Sequence, residues 1–348
     1  MDHNKVTEFL GRFVTDFGAA GAAGSVVIGY RLGLYRALAE GPATPERFAE
    51  RTGCHVRYLT EWLLGQAAGG YVSHDTQTGA FSLTEEQAFC LADPDGPNVP
   101  AAFLIVLGYL RAEPRITEAF RTGDGVAWHE HEEDVFVGCD AFYRPGYAAE
   151  LVPNWIPALD GVDGKLAVGA RVADLGCGLG SSSLLVAEAY PRTTVVGSDY
   201  HTESIELARG KAEEAEVNDR VTFEVATAQT FTGGDYDLVM MFDCLHDMGD
   251  PLGAARRVRE ALDADGTWML VEPYASDRVE ENFNPVGRLF YSGSTFLCVP
   301  NSLSQPGGYS LGAQAGESAI REVISNAGFT RFRRAAQTPF NIVYEIRP

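Results

Sequence analysis

Asp174 is followed by glycines at 176, 178 and 180, in the run Asp174-Leu175-Gly176-Cys177-Gly178-Leu179-Gly180. Glycines let a backbone turn tightly and approach a ligand closely. The spacing is Gly-x-Gly-x-Gly, with Ser181 where a dinucleotide fingerprint has its third glycine. An acid directly before the turn is also unlike a pyrophosphate site, and suits a ligand that presents an ammonium group. Asp199 comes 19 residues after Gly180. A carboxylate at that spacing can accept both hydroxyls of a ribose, or it can cap a helix. His246 lies in Leu245-His246-Asp247. Histidine has the unperturbed pKa nearest neutrality, so it is a candidate base for a hydroxyl proton, with Asp247 or Glu272 to orient it. Its bland reading is a capping residue ahead of Pro251.

These residues need elements to position them. Strand patterns over 171–175, 193–199, 220–225, 236–242 and 267–272 alternate with helix patterns over 181–190, 202–215, 251–262 and 317–327. Such alternation predicts a parallel sheet with right-handed crossovers. Asp174, Asp199, Phe242 and Glu272 then fall at the carboxyl ends of strands, where open sheets bind ligands. Segments 329–333 and 341–346 add closing strands. Between them and the fifth strand, 275–315 reads as a long apolar loop, a lid or pocket wall.

The first half reads as helical. Thr44 and Pro45 open a helix over 45–52, a second spans 55–68, and 71–83 makes a hairpin. Helix, turn, helix, hairpin is a winged-helix pattern, which on its own suggests DNA binding. The second helix offers only His55 and Arg57 as readers, beside Glu61, and the wing has no Lys or Arg. With 27 Lys+Arg against 48 Asp+Glu, a net charge of −21, nucleic-acid binding is not expected. The module is read as one for packing or dimerisation. Two domains are expected, 1–160 and 161–348. His129 and His131 with nearby carboxylates are read as a solvated acidic segment, and no metal is expected. The six cysteines contain no CxxC and fit reduced thiols in the cytoplasm. Neither a secretory signal nor a membrane span is expected.

Val172 to Gly180, with Gly197-Ser198-Asp199-Tyr200, resembles the first two motifs of class I S-adenosylmethionine (SAM)-dependent methyltransferases, and 236–247 resembles their fourth strand. The N-terminal half is similar to the winged-helix module of small-molecule O-methyltransferases, and the layout resembles an actinobacterial winged-helix group. The resemblance implies an α/β fold: a Rossmann-like domain with a mainly parallel seven-stranded sheet, after a mostly helical winged-helix domain. It implies SAM as cofactor, held by Asp174, Gly176, Cys177, Gly178, Gly180 and Asp199. Tyr200 would line the ribose, Thr227 and Ala228 would flank the adenine, and Phe242 and Asp243 would close over the cofactor. The family usually carries Asp where Thr227 stands, so a hydroxyl or backbone bond would serve the adenine here. His246 matches the general base of many O-methyltransferases. Aromatic residues of the insertion (Phe290, Tyr291, Phe296), with Tyr143 and Tyr147, imply a small apolar or aromatic acceptor, and Arg288 could bind an acidic group on it. A homodimer is expected. Oxygen, nitrogen and carbon acceptors stay open, as do a SAM-sensing regulator and a dinucleotide oxidoreductase.

Overall fold

The computed structural model describes all 348 residues. Packing divides them into two compact units: Met1–Gly108 with Val137–Pro145, and Tyr109–Phe136 with Gly146–Pro348. A single cut at 160 therefore does not match the packing. Val126 donates its N–H to the Pro300 carbonyl and Trp128 donates to Asn301 Oδ1, which ties 109–136 to the second unit.

The helices of the first stretch are α1 (His3–Arg31), α2 (Leu34–Ala39), α3 (Pro45–Thr52), α4 (Val56–Ala68), α5 (Glu85–Leu91) and α6 (Val99–Arg111). A two-stranded wing, β1 (Ser73–His74) and β2 (Phe81–Ser82), pairs antiparallel. Leu59, Trp62 and Leu63 form the buried stripe of α4 and pack with Leu34, Tyr35, Leu38, Phe48 and Phe81. A Cβ at Gly29 would lie 2.5 Å from the Trp62 ring, so only glycine lets α1 cross α4 this closely. The outer face of α1 is different: Phe9, Phe13 and Phe17 are exposed, four residues apart. By length and composition α1 could cross a membrane.

The second unit is built on a seven-stranded sheet. Its strands are β3 (Arg171–Leu175), β4 (Thr194–Asp199), β5 (Val221–Val225), β6 (Tyr236–Phe242), β7 (Leu262–Pro273), β8 (Arg331–Gln337) and β9 (Asn341–Arg347). The order is β5-β4-β3-β6-β7-β9-β8. The first five run parallel, and β9 is antiparallel to both β7 and β8. Leu238 to Met241 are all fully buried, as expected for a central strand covered on both faces. The helices around the sheet are α7 (Glu113–Thr122), α8 (Glu133–Glu150, shared between the units), α9 (Val162–Val168), α10 (Ser181–Ala189), α11 (Thr202–Glu214), α12 (Pro251–Ala261), α13 (Pro285–Phe296), α14 (Cys298–Ser304) and α15 (Gly316–Asn326). Helices α12 and α15 pack on β6, β7 and β9 through Ala254, Ala255, Val258, Ile320, Val323 and Ile324.

The stretch read as a loop, 275–315, is instead mostly helical, with α13 and α14 inside it. Asn284 accepts from the Gly287 N–H at 2.9 Å and Pro285 takes the first helical position, a start signal that the sequence carries.

Candidate active site

The glycine turn leaves the end of β3. Asp174 is fully buried. Its Oδ2 accepts from the hydroxyls of Ser182 and Ser183, each at 2.6 Å, while Oδ1 is buried with no partner. Burial pushes its carboxyl up to about 6, against the pull of the two serines. Gly176, Gly178 and Gly180 all have positive φ. A Cβ at Gly180 would meet the Phe223 ring at 2.6 Å, whereas Gly178 has nothing within 4 Å. Cys177 is buried beside the turn.

Asp199 ends β4 and reaches back to this turn. Its Oδ2 accepts from the Gly178 N–H at 3.0 Å and its Oδ1 from the His201 N–H at 2.9 Å. It does not cap α11, because His201 is the cap and accepts from the Ser204 N–H. Tyr200 donates its hydroxyl to Asn301 Oδ1 at 2.9 Å. Thr227 is exposed, its hydroxyl 2.9 Å from that of Thr230, and Ala228 is buried in the sheet core.

Past β6, the chain makes a short helical turn, Leu245–Asp247. His246 is only 3 % exposed. Its Nδ1 lies 2.7 Å from Oε2 of Glu272, whose Oε1 accepts the Leu245 N–H at 3.0 Å. Of the two orienting acids considered, the structure thus brings Glu272 to the ring. Asp247 instead lies near Tyr200 and Asn301, and burial pushes it up to about 7. Burial opposes a charged His246, but Glu272 and Cys298 outweigh it and hold the imidazole well above its ordinary range.

Phe242 and Asp243 lie in a cluster with Tyr147, Trp155 and Asn341. Phe242 packs against Tyr147 and Trp155, ring centres 4.9 and 6.4 Å away. Asp243 accepts from the Tyr147 hydroxyl at 2.8 Å and from Asn341 Nδ2 at 2.8 Å. The cluster joins a strand end to β9, a partnership that no local spacing could reveal. Burial, helped by Glu272, pushes Asp243 up to about 8. An acid with a raised folded pKa adds stability below its unfolded pKa and loses it as pH rises through the folded value. The window is therefore about pH 4 to 8, with a slope of up to about 1.4 kcal/mol per pH unit. Asp243→Asn keeps the positive φ that asparagine tolerates. In urea unfolding at pH 5 and pH 8, wild type should lose more stability than D243N between the two. Parallel curves would remove the protonated carboxyl.

Of the residues assigned to the acceptor, Phe290 is buried and Phe296 stacks on Tyr109 at 4.9 Å. Arg288 and Tyr291 are exposed. Tyr143 belongs to the first unit, its ring 4.9 Å from that of Phe142. His131 is buried with both ring nitrogens unpartnered, so it is not part of a solvated segment, although Glu132 and Asp134 pair with Arg111. Sequence reasoning missed Cys298, Asn301, Asn341, Ser182 and Ser183. Only the two serines, at the helix start after the glycines, carried a local signal.

Comparisons with known proteins bear on this site. Residues 166–304 match the profile described as "Methyltransferase domain". Residues 20–93 match "Rv2258c-like winged HTH domain". The chain is a SAM-dependent methyltransferase. The methyltransferase is 26 % identical over 342 residues to O-methyltransferase SfmM3 of Streptomyces lavendulae, covering 93 % of this chain and 96 % of that one. It shares its fold with mitomycin 7-O-methyltransferase MmcR, at a TM-score of 0.73 and 20 % identity over 99 % of this chain and 100 % of that one. Human N-acetylserotonin methyltransferase in complex with SAM gives 0.69 and 18 %, with 97 % of each chain covered. The residues present fit the cofactor. The unpartnered Oδ1 of Asp174 is an acceptor at the turn, the open backbone at Gly178 admits a ligand, and Asp199 retains lone pairs for hydroxyls.

Proposed function

We propose that this methyltransferase acts on an oxygen of a small, largely apolar or aromatic acceptor, with His246 as general base. The observation that carries the reading is the buried Glu272–His246 pair at the carboxyl ends of β6 and β7, one and two strands from Asp174 and its glycine turn on β3. The cofactor supplies an electrophilic methyl group on a sulfonium. Glu272 accepts from Nδ1 and so leaves the Nε2 lone pair to take the acceptor's proton. Leu245 N–H on Glu272 fixes the carboxylate, and with it the plane of the ring. Burial excludes water from the pair. Asp174, the glycines and Asp199 hold the cofactor, Tyr200 borders it, and the Thr227–Ala228 turn flanks its base. The names of SfmM3 and the mitomycin enzyme, both O-methyltransferases, support oxygen as the methylated atom. Incubating the enzyme with labelled SAM and a panel of phenols, amines and activated carbon acids tests the choice. A labelled methyl ether is expected; product found only with amines or carbon acids would overturn it.

The first unit serves dimerisation in this reading, and the 275–315 insertion of the second unit lines the acceptor pocket. Arg57 pairs with Glu61 at 2.5 Å and His55 caps α4, so each candidate reader of the winged helix has a partner on its own helix, which supports a role other than DNA binding. The partner proposed is a second copy of the chain, docked through the Phe9, Phe13 and Phe17 stripe of α1, rather than a nucleic acid or membrane. None of the six cysteines is in a disulfide, which fits a reducing, cytoplasmic setting. Light scattering should give twice the chain mass for wild type and a monomer for the Phe13→Glu, Phe17→Glu double variant. A monomeric wild type, or co-sedimentation with anionic vesicles through the same face, would sink the dimer.

A further inference from the structure

Cys298, the first residue of α14, places its Sγ 3.3 Å from Nε2 of His246. Nδ1 of the same ring lies 2.7 Å from Glu272. Both ring nitrogens are thus engaged, and the residues form a continuous chain: carboxylate, imidazole, thiol. An ionised carboxylate only accepts hydrogen bonds, so the proton on the Glu272 side belongs to Nδ1. Nε2 then carries a lone pair, and the thiol, a weak donor, is the group that fills it. That lone pair is the one the general-base reading needs for an acceptor hydroxyl. No local spacing signals this contact, because 52 residues separate the partners.

We propose that Cys298 is a positioning residue of the base: its thiol holds Nε2 of His246 when no acceptor is bound and yields that position to the acceptor hydroxyl. The inference rests on His246 being the base. A thiol hydrogen-bonded to an imidazole backed by a carboxylate shares its proton with the ring and gains thiolate character. The same contact therefore makes Cys298 reactive toward soft electrophiles. Cys177 and Cys244 provide the contrast, since burial pushes both of their thiols well above the usual range.

Iodoacetamide is the probe, applied to the full chain without SAM or acceptor and read by peptide mass spectrometry. Sγ forms a bond to the reagent's methylene carbon, the carbon–iodine bond breaks, iodide leaves, and the thiol proton passes to Nε2. In wild type, Cys298 should react at pH 7 at least tenfold faster than Cys177 or Cys244. His246→Gln should slow it at least tenfold. A rate within twofold of wild type in that variant would overturn the proposal, as would an unreactive Cys298. The ring titration of His246, followed by NMR, gives a second readout. Cys298→Ala should lower its midpoint, and Cys298→Ser, whose hydroxyl stays neutral and cannot supply the negative partner, should not restore it. Equal midpoints in all three proteins would again overturn the proposal. These readouts need no turnover, so they separate from the base reading, which fails if His246→Ala still methylates at full rate.

Discussion

Asp199→Ala should weaken S-adenosylhomocysteine binding, measured by calorimetry, by roughly 10²- to 10⁴-fold. The carboxylate ends β4 and accepts from Gly178 N–H and His201 N–H. It therefore acts twice. It holds the glycine turn in its positive-φ path, and it offers its remaining lone pairs to a pair of hydroxyls. Hydrogen bonds to a charged group are worth about 1.5–3 kcal/mol each, so losing two accounts for the range. Burial pushes the Asp199 carboxyl upward, while the two backbone N–H groups pull it back toward the ionised form. Asp199→Asn retains one acceptor oxygen and should fall between wild type and the alanine variant. Circular dichroism should change little in both, since α11 is capped by His201 and not by Asp199. Affinity within threefold of wild type in Asp199→Ala would sink the ribose assignment, and binding of NAD in place of the homocysteine derivative would revive the dinucleotide alternative.

The parts of this site that could be read in the sequence share a physical property: each is local. The glycine turn, its preceding acid and the serines after it are fixed by a strand, a tight turn and a helix start within ten residues of one another. The five parallel strands were legible because buried central strands are continuous apolar runs, as Leu238 to Met241 are. The seven-stranded, mainly parallel sheet was expected and is present. What the sequence hid is long-range. The choice of Glu272 over Asp247 depends on β6 and β7 lying side by side, which brings residues 26 apart to 2.7 Å. Asp243 meets Asn341 across 98 residues, and Asn301 meets Trp128 across 173. The insertion misled for another reason. Its aromatic residues drew attention away from Asn284-Pro285, a helix start signal in plain view. The packing units depart from a cut at 160 where 109–136 completes its small core, Ala112, Ile116 and Val126, against Phe296.

His246→Ala should lower the methylation rate by about 10²- to 10⁴-fold, the usual contribution of a positioned general base, while the affinity for S-adenosylhomocysteine stays near wild type. The split follows from the geometry: the ring bonds to Glu272 and Cys298, and none of the cofactor-turn bonds pass through it. The pH dependence sharpens the test. Glu272 and Cys298 hold the imidazole above its ordinary range despite burial. A base must be neutral to take a proton, so the wild-type rate should climb as pH rises past neutrality. Glu272→Gln removes the negative partner. The rising limb should then shift to lower pH, and the maximum should fall because the amide no longer stabilises the imidazolium that forms. A purely structural role for Glu272 would lower the rate at every pH and leave the limb where it is. Carbon and nitrogen acceptors depend less on a base than a hydroxyl does, so the size of the loss also reports the nucleophile. A loss within threefold of wild type would mean that alignment alone supports transfer and that oxygen is not the atom methylated. A loss of a hundredfold or more, with cofactor affinity intact, would make the Glu272–His246 pair the proton acceptor of the reaction.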